Sequence, residues 1–343
     1  MGDLAGESFW SWVVVPLAVL GGSVWLTGIV RHWLQRRAIL DHPGERTSHE
    51  GATPRGGGLA LIPVVLFAWI MLALAGDAPS GTYATVALAA ALGLVSWFDD
   101  LGHLAFGWRL AAHLVAAALG AAYLLGPALV FQGLLPPMVD HVVAVLLWAW
   151  FINLYNFMDG IDGITCVETI AIGIGVVLVA RYAGDQTAIA APALALCAGA
   201  LGFLRWNWPR GCICLGDVGS VPLGFLTGWL LLLLATQGQW APALILGLYY
   251  LADASVTLLR RLFRGERVWQ AHRSHFYQRA LASDNDHRAV LWLIIGGDVV
   301  LLLLALLAIR LPRIAVVVAL LAVTSLLMQL SRRARRATTL PPL

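Results

Sequence analysis

Long apolar runs alternate with short polar clusters from one end of this chain to the other, and the strongly polar clusters fall at the ends of those runs. A run of about 20 apolar residues wound as a helix is about 30 Å long, the thickness of a bilayer's hydrocarbon core. Eleven such spans can be read, over 10–34, 57–75, 82–98, 108–125, 139–156, 164–182, 187–204, 220–236, 240–258, 289–309 and 313–330. Lipid offers no partner for backbone N–H and C=O groups, so helices are the form these runs take. The expected fold is all-α, a polytopic integral membrane protein with one transmembrane domain over 1–343. No soluble domain, low-complexity tract or clear internal repeat interrupts it. The longest polar stretches are the loops 35–56 and 259–288.

Composition agrees with the pattern. The chain is 60% hydrophobic and 12% charged, against roughly 25% charged residues in soluble domains. All 22 basic residues are arginine. Alternating the spans gathers every arginine on one side except Arg181, Arg310 and Arg313, and by the positive-inside rule the rich side is cytoplasmic. The amino terminus is then expected outside and the Arg332–Arg336 tail inside. The first run is long and has no small-residue cleavage site near its end, so it reads as a retained helix. Cys166, Cys197, Cys212 and Cys214 lie in or at the inner ends of spans, where a disulfide is not expected. Cys212-Ile213-Cys214 has neither the spacing nor the second pair of a zinc site.

The chemistry-bearing residues collect on that arginine-rich side. Asp99-Asp100 closes the third span, and two carboxylates at the end of an apolar helix need water, basic groups or a cation. The fifth span ends in Asn153, Asn156, Asp159, Gly160, Asp162 and Gly163. The interval of three places the first three side chains near one helical face. Oxygen ligands without nitrogen or sulfur suit a hard ion such as Mg²⁺, with Mn²⁺ as a substitute. Asn207 follows the seventh span, and Asp217, flanked by glycines, stands just before the eighth, where a helix amino terminus also welcomes an anion. The last polar loop carries Arg260, Arg261, Arg264 and Arg267, then His272-Arg273-Ser274-His275-Phe276-Tyr277-Gln278-Arg279. Arginines beside a membrane commonly set topology or meet anionic lipid, whereas imidazoles interleaved with arginine suit an anionic substrate. Asp253, seven residues before Arg260, is in position to face it across two helical turns. The first loop adds Asp41, His42, Arg46, His49 and Arg55-Gly56-Gly57-Gly58, whose glycines either permit close helix packing or let backbone N–H groups approach a phosphate.

The Asp41–Gly58 string, the Asp99-Asp100 pair, the Asn-x-x-Asn-x-x-Asp-Gly-Ile-Asp-Gly run, the Leu215–Ser220 turn and the histidine loop occur in one order. In that order and spacing the chain resembles the polyprenyl-phosphate N-acetylhexosamine-1-phosphate transferases, over about residues 30–280. The resemblance implies a bacterial inner-membrane, multi-pass enzyme. It would transfer a sugar-1-phosphate from a UDP-activated N-acetylated hexosamine to undecaprenyl phosphate and release UMP. It further implies a metal on Asn156 and Asp217, the lipid phosphate beside Asp99 and Asp100, the nucleotide beside Asp159 and Asp162, and the diphosphate and sugar beside His272, Arg273 and His275. Arg55, Asn153, Asn207, Arg260 and Arg279 complete the set as substrate contacts. The peptidoglycan branch has three adjacent histidines where this chain has His-Arg-Ser-His, so the likeness is to the branch that initiates O-antigen or capsule repeats, including 6-deoxy donors. Phe276 and Tyr277 are the expected apolar surface for such a sugar. The lipid bilayer and a homodimer are the other partners considered, and nucleic acid is not expected.

Three rivals remain at this level. One is a muramoyl-pentapeptide donor. Another is a cation- or proton-coupled transporter, to which mid-span Asp298 would belong, although the other acids gather at one face. A lipid-phosphate phosphatase would want a nucleophilic histidine or cysteine on the outer side.

Overall fold

The computed structural model describes residues 9–41, 52–102, 104–124, 128–184, 187–267, 272–281 and 286–338. In chain order its helices are α1 (Trp10–Arg36, opening with a π-helical turn), α2 (Gly58–Ala75), α3 (Thr82–Gly102), α4 (Phe106–Leu124), α5 (Pro137–Phe157), α6 (Ile164–Tyr182), α7 (Thr187–Asn207), α8 (Asp217–Thr236), α9 (Trp240–Leu246), α10 (Leu248–Phe263), α11 (Phe276–Leu281), α12 (His287–Ala308) and α13 (Pro312–Thr338). A two-residue antiparallel pair, β1 (Leu40–Asp41) with β2 (Thr53–Pro54), is the one sheet among the described residues.

Among the described residues, nine helices are long and apolar enough to cross a membrane, and α9 with α10, bent by 63° at their break, meets the same test only as a pair. The remaining expected span is α4, equally helical but carrying Arg109 and His113. The ninth span is therefore not the continuous helix expected over 240–258. Its break falls at Gly247, where Phe151 and Leu231 crowd the space a Cβ would need; a glycine in a helix interior is also a common place for a kink.

The helices run further into the polar clusters than hydropathy suggests. α3 continues through Asp99 and Asp100, and α8 begins at Asp217 rather than at 220, so these acids are placed by helix ends instead of by loose loops.

α8 is the central helix, buried along nearly its whole length and packed by α2, α3 and α5. Lipid supplies no hydrophobic drive between helices, so association depends on close approach and dispersion. Gly58 and Gly219 meet backbone to backbone; a Cβ on Gly58 would fall 2.3 Å from Gly219. Trp148 stacks on Phe225 with ring centroids 4.6 Å apart and donates its indole N–H to the Phe225 carbonyl at 3.0 Å, while Gly228 leaves room for the indole. Among the described residues none of the four cysteines forms a disulfide.

One polar patch inside the bundle has no such bonding. Among the described residues, Glu168 on α6 is 1% exposed with neither carboxylate oxygen hydrogen-bonded, Asp298 Oδ2 on α12 has no partner, and neither has the Tyr249 hydroxyl on α10.

Candidate active site at the arginine-rich end of the bundle

Three structural knots hold the polar ends of the helices in register. The first is built on Asp100. Its Oδ1 accepts from the Asp217 N–H at 3.1 Å and its Oδ2 from the Val218 N–H at 3.0 Å, which caps the start of α8 through space. A carboxylate there also opposes the positive end of the helix dipole. Arg55 Nη2 lies 2.9 Å from Asp100 Oδ1 and 3.0 Å from Asp217 Oδ1, and Nη1 lies 3.7 Å from Asp41. Burial pulls the Arg55 guanidinium down, but the charges of Asp217, Asp100 and Asp41 outweigh it and raise it further. Asp100 is thus fully committed to protein groups.

The glycines after Arg55 belong to the same knot. Gly56 and Gly57 donate to the Cys214 carbonyl and Gly58 to that of Leu215, so these N–H groups are spent on protein and close packing is the reading that holds. His42, Arg46 and His49 lie outside the described residues.

The second knot joins the loop after α5 to the loop after α7. Asp162 Oδ2 accepts from the Gly211 N–H at 2.9 Å. Asn207 accepts from the Gly163 N–H at 2.8 Å and donates to the Ile213 carbonyl at 2.9 Å. Beside it, Asp159 Oδ1 takes the Thr165 hydroxyl at 2.6 Å, and burial pushes the Asp159 carboxyl up to about 7 against that bond.

The third knot seats the histidine loop. Asp253, fully buried on α10, accepts from the Phe276 N–H at 3.1 Å and the Tyr277 N–H at 3.3 Å, and lies 3.1 Å from His275 Nδ1. The Tyr277 hydroxyl reaches the Phe157 carbonyl at 3.3 Å, and Gly160 leaves the space it occupies. Two sequence expectations change here. Asp253 serves α11 rather than facing Arg260, whose guanidinium instead stacks 4.7 Å over the Phe276 ring. Phe276 and Tyr277 are buried, so they do not form an open surface for a sugar; the Asp253 cap turns both inward. His272 sits beside His275 with ring centroids 4.9 Å apart, its Nδ1 against the Ser274 hydroxyl at 2.8 Å. Arg273 and Arg279 are exposed.

Between these knots opens a pocket bounded by α3, α4, α5 and α8. It is lined by the polar side chains of Asp99, Arg109, His113, Asn153, Asn156 and Asp217 and by apolar Leu92, Val95, Phe106, Phe157 and Val221. Arg109 Nη1 lies 3.0 Å from Asp99 and 3.7 Å from Asp217. The Asn156 carboxamide bonds the Asp217 carboxylate. Asn153 donates back to Ala149 at 2.8 Å within its own helix. Of the expected site residues, the pocket brings together Asp99, Asn153, Asn156 and Asp217. Asp100, Asp162 and Asn207 are tied into the supporting knots, and the histidine loop stands above the α5 end. Arg109 and His113 were not singled out as site residues from sequence, although an arginine and a histidine four residues apart at the start of an apolar helix share a face and are costly there without a partner.

Residues 82–235 match the family described as glycosyl transferase family 4, a segment that contains every pocket residue. The chain is 26% identical over 280 residues to a probable undecaprenyl-phosphate N-acetylglucosaminyl 1-phosphate transferase of Bacillus subtilis, spanning 77% of this chain and 75% of that protein. It is 28% identical over 298 residues to an undecaprenyl-phosphate alpha-N-acetylglucosaminyl 1-phosphate transferase of Yersinia pestis, spanning 80% and 78%. A phospho-N-acetylmuramoyl-pentapeptide-transferase of a Mycobacterium species is 28% identical over 318 residues, spanning 77% and 88%.

Proposed function

We propose, for a chain that belongs to glycosyl transferase family 4 and is a polyprenyl-phosphate sugar-1-phosphate transferase, a UDP-activated N-acetylated hexosamine as donor and undecaprenyl phosphate as acceptor. The products are UMP and a polyprenyl-diphosphate sugar that starts a cell-surface polysaccharide. One observation carries this reading: a single pocket is lined both by Arg109 with Asp99, Asn156 and Asp217, groups that suit phosphate and a cation, and by apolar side chains of the kind that meet an isoprenoid chain. His272-Arg273-Ser274-His275 in place of three adjacent histidines favours an N-acetylhexosamine donor over a muramoyl peptide.

The donor set suits Mg²⁺. Asp217 and Asn156 present oxygen to one pocket with Asp99 beside them. Among the described residues no three His, Cys, Asp or Glu side chains form a ready cage. Mg²⁺ commonly takes one or two carboxylates and completes its shell with water and substrate phosphates. Bound there, it would supply neutralisation of the donor diphosphate.

The protein's own groups carry the remaining tasks. Phosphoryl transfer depends mainly on positioning and charge neutralisation, and a phosphate monoester with a second pKa near 6 hardly needs a strong base. Arg109 neutralises the incoming phosphate, Asp99 orients Arg109 and the acceptor, and the exposed Arg273 and Arg279 meet the donor diphosphate from above. A single in-line displacement follows, in which the acceptor oxygen bonds the donor's sugar-bearing phosphorus as the bond to UMP breaks. Purified protein given undecaprenyl phosphate, Mg²⁺ and a panel of UDP-sugars should release UMP with an N-acetylated hexosamine donor. Release without lipid phosphate, or from no donor in the panel, overturns the reading.

The site is proposed to face the cytoplasm of a bacterial inner membrane. A reporter fused after Arg336 should then read cytoplasmic and one near Gly184 external; the opposite pattern removes the access to UDP-sugar that the reaction needs.

A further inference from the structure

His113 is a pocket residue whose bonding is incomplete. It lies on α4, four residues after Arg109, so the two side chains leave the same helical face. The residue is 5% exposed. One ring nitrogen is bonded to the Asn153 side chain, and Nδ1 is sealed from solvent with no partner among the described residues. Asn153 spends one amide N–H on the Ala149 carbonyl, and the pairing that uses its carbonyl oxygen has that oxygen accept from the imidazole. His113 therefore spends Nε2–H on Asn153 and leaves a lone pair on Nδ1. A buried polar atom left unpaired costs about 1–3 kcal/mol, so a ligand that satisfies it is favoured.

The surroundings define that ligand. The ring shares the pocket with Arg109 and Asp99 and with apolar Leu92, Phe106 and Val221. An anion held by Arg109 and followed by a hydrocarbon chain meets His113 from the only side not already bonded. We infer that His113 Nδ1 hydrogen-bonds a nonbridging oxygen of the acceptor's phosphate monoester, making it a substrate contact for the lipid and not for the nucleotide sugar. Because the monoester is mostly dianionic at neutral pH, the hydrogen in this bond is a proton taken up from water on binding and shared between Nδ1 and that oxygen. Asn153 becomes a positioning residue, since its bond to Nε2 sets the tautomer that exposes Nδ1. The inference rests on the transferase reading above but concerns one side of the reaction alone.

The test separates acceptor from donor. His113→Leu and His113→Gln are prepared as full-length protein and checked by thermal melting. A hydrogen bond to a charged partner contributes about 1.5–3 kcal/mol, so kcat/KM for polyprenyl phosphate should fall about tenfold to a hundredfold in His113→Leu. The KM for UDP-sugar should stay near the wild-type value. His113→Gln, which restores a polar group at that place, should recover part of the loss. Binding of a short-chain polyprenyl phosphate in the absence of donor should weaken in the same order. Unchanged acceptor kcat/KM in both variants overturns the inference, as does a parallel loss for both substrates or acceptor binding equal to wild type. If wild-type protein binds polyprenyl phosphate through His113 yet releases UMP from no UDP-sugar, the donor reading fails and this inference stands.

Discussion

Asp100 and Glu168 are both nearly sealed acids near helix ends, yet the protein treats them in opposite ways. Asp100 has its oxygens taken by two backbone N–H groups at the head of α8 and by Arg55. Glu168, one turn into α6, has neither oxygen bonded among the described residues, and the charged group that acts on it across the bundle is another acid, Asp298. The contrast teaches which acids have their burial offset by bonds. Desolvating a carboxylate is expensive unless basic groups and hydrogen bonds offset it. At the arginine-rich end that compensation is built in, and it can be lent to a substrate or a metal. In the interior it is missing, and nothing there supports a permanent charge.

The largest effect expected from this comparison lies at Asp217. Asp217→Ala removes the carboxylate that joins Arg55, Arg109 and Asn156, so turnover should fall at least about a hundredfold, as it does when a key electrostatic group is removed from an active site. Melting should change little, since Arg55 keeps Asp100. Asp100→Ala should behave the other way in a melting experiment. It strips the α8 cap and leaves two buried N–H groups unpaired at about 1–3 kcal/mol each. Full turnover by Asp217→Ala at saturating Mg²⁺, or wild-type melting of Asp100→Ala, would show that the two adjacent acids have been given the wrong roles.

Much of this arrangement could be read from the residue pattern, and the part that could not has a physical cause. Spans of about 20 apolar residues leave little freedom in lipid, so the helices emerged close to their expected ends. The broken ninth span escaped notice because Gly247 is a break only in the presence of Phe151 and Leu231, which come from other helices. Asp99, Asn156 and Asp217 were recognisable because polar residues at the ends of apolar runs are conspicuous. Whether an acid like Asp162 or Asp100 meets substrate or holds a loop depends on which backbone N–H groups fold against it, and hydropathy does not contain that. The burial of Tyr277 has the same origin, since Asp253 lies more than twenty residues away.

A smaller effect is expected at Asp159, which stands between the two classes: it has one bond, from Thr165, and is raised from 3.8 to about 7 mainly by burial. Between those pH values the folded protein binds more protons than the unfolded chain, so stability should decline as pH rises from about 4 to about 7 and level off beyond. Asp159→Asn should flatten that decline when melting is followed without divalent ions. Identical slopes for variant and wild type would mean that Asp159 is ionised throughout.

The smallest effect is the most informative about the interior pair. If Glu168 carries no functional charge, Glu168→Gln keeps the shape of the side chain and removes the group whose ionised form is hardest to bury. Turnover should then stay within about twofold of wild type, since a substitution that leaves the chemistry untouched leaves the barrier untouched. Melting should hold or rise by a few degrees, roughly what 1 kcal/mol produces in a chain of this class of size. Glu168→Leu should cost no more than ordinary repacking, because no hydrogen bond is lost. Acids inside membranes usually mark ion or proton paths, and Glu168 lies three residues after Thr165, the partner of Asp159. A large loss of turnover in Glu168→Gln with unchanged melting would therefore tie the interior acids to the chemistry above them and dissolve the distinction between the two regions.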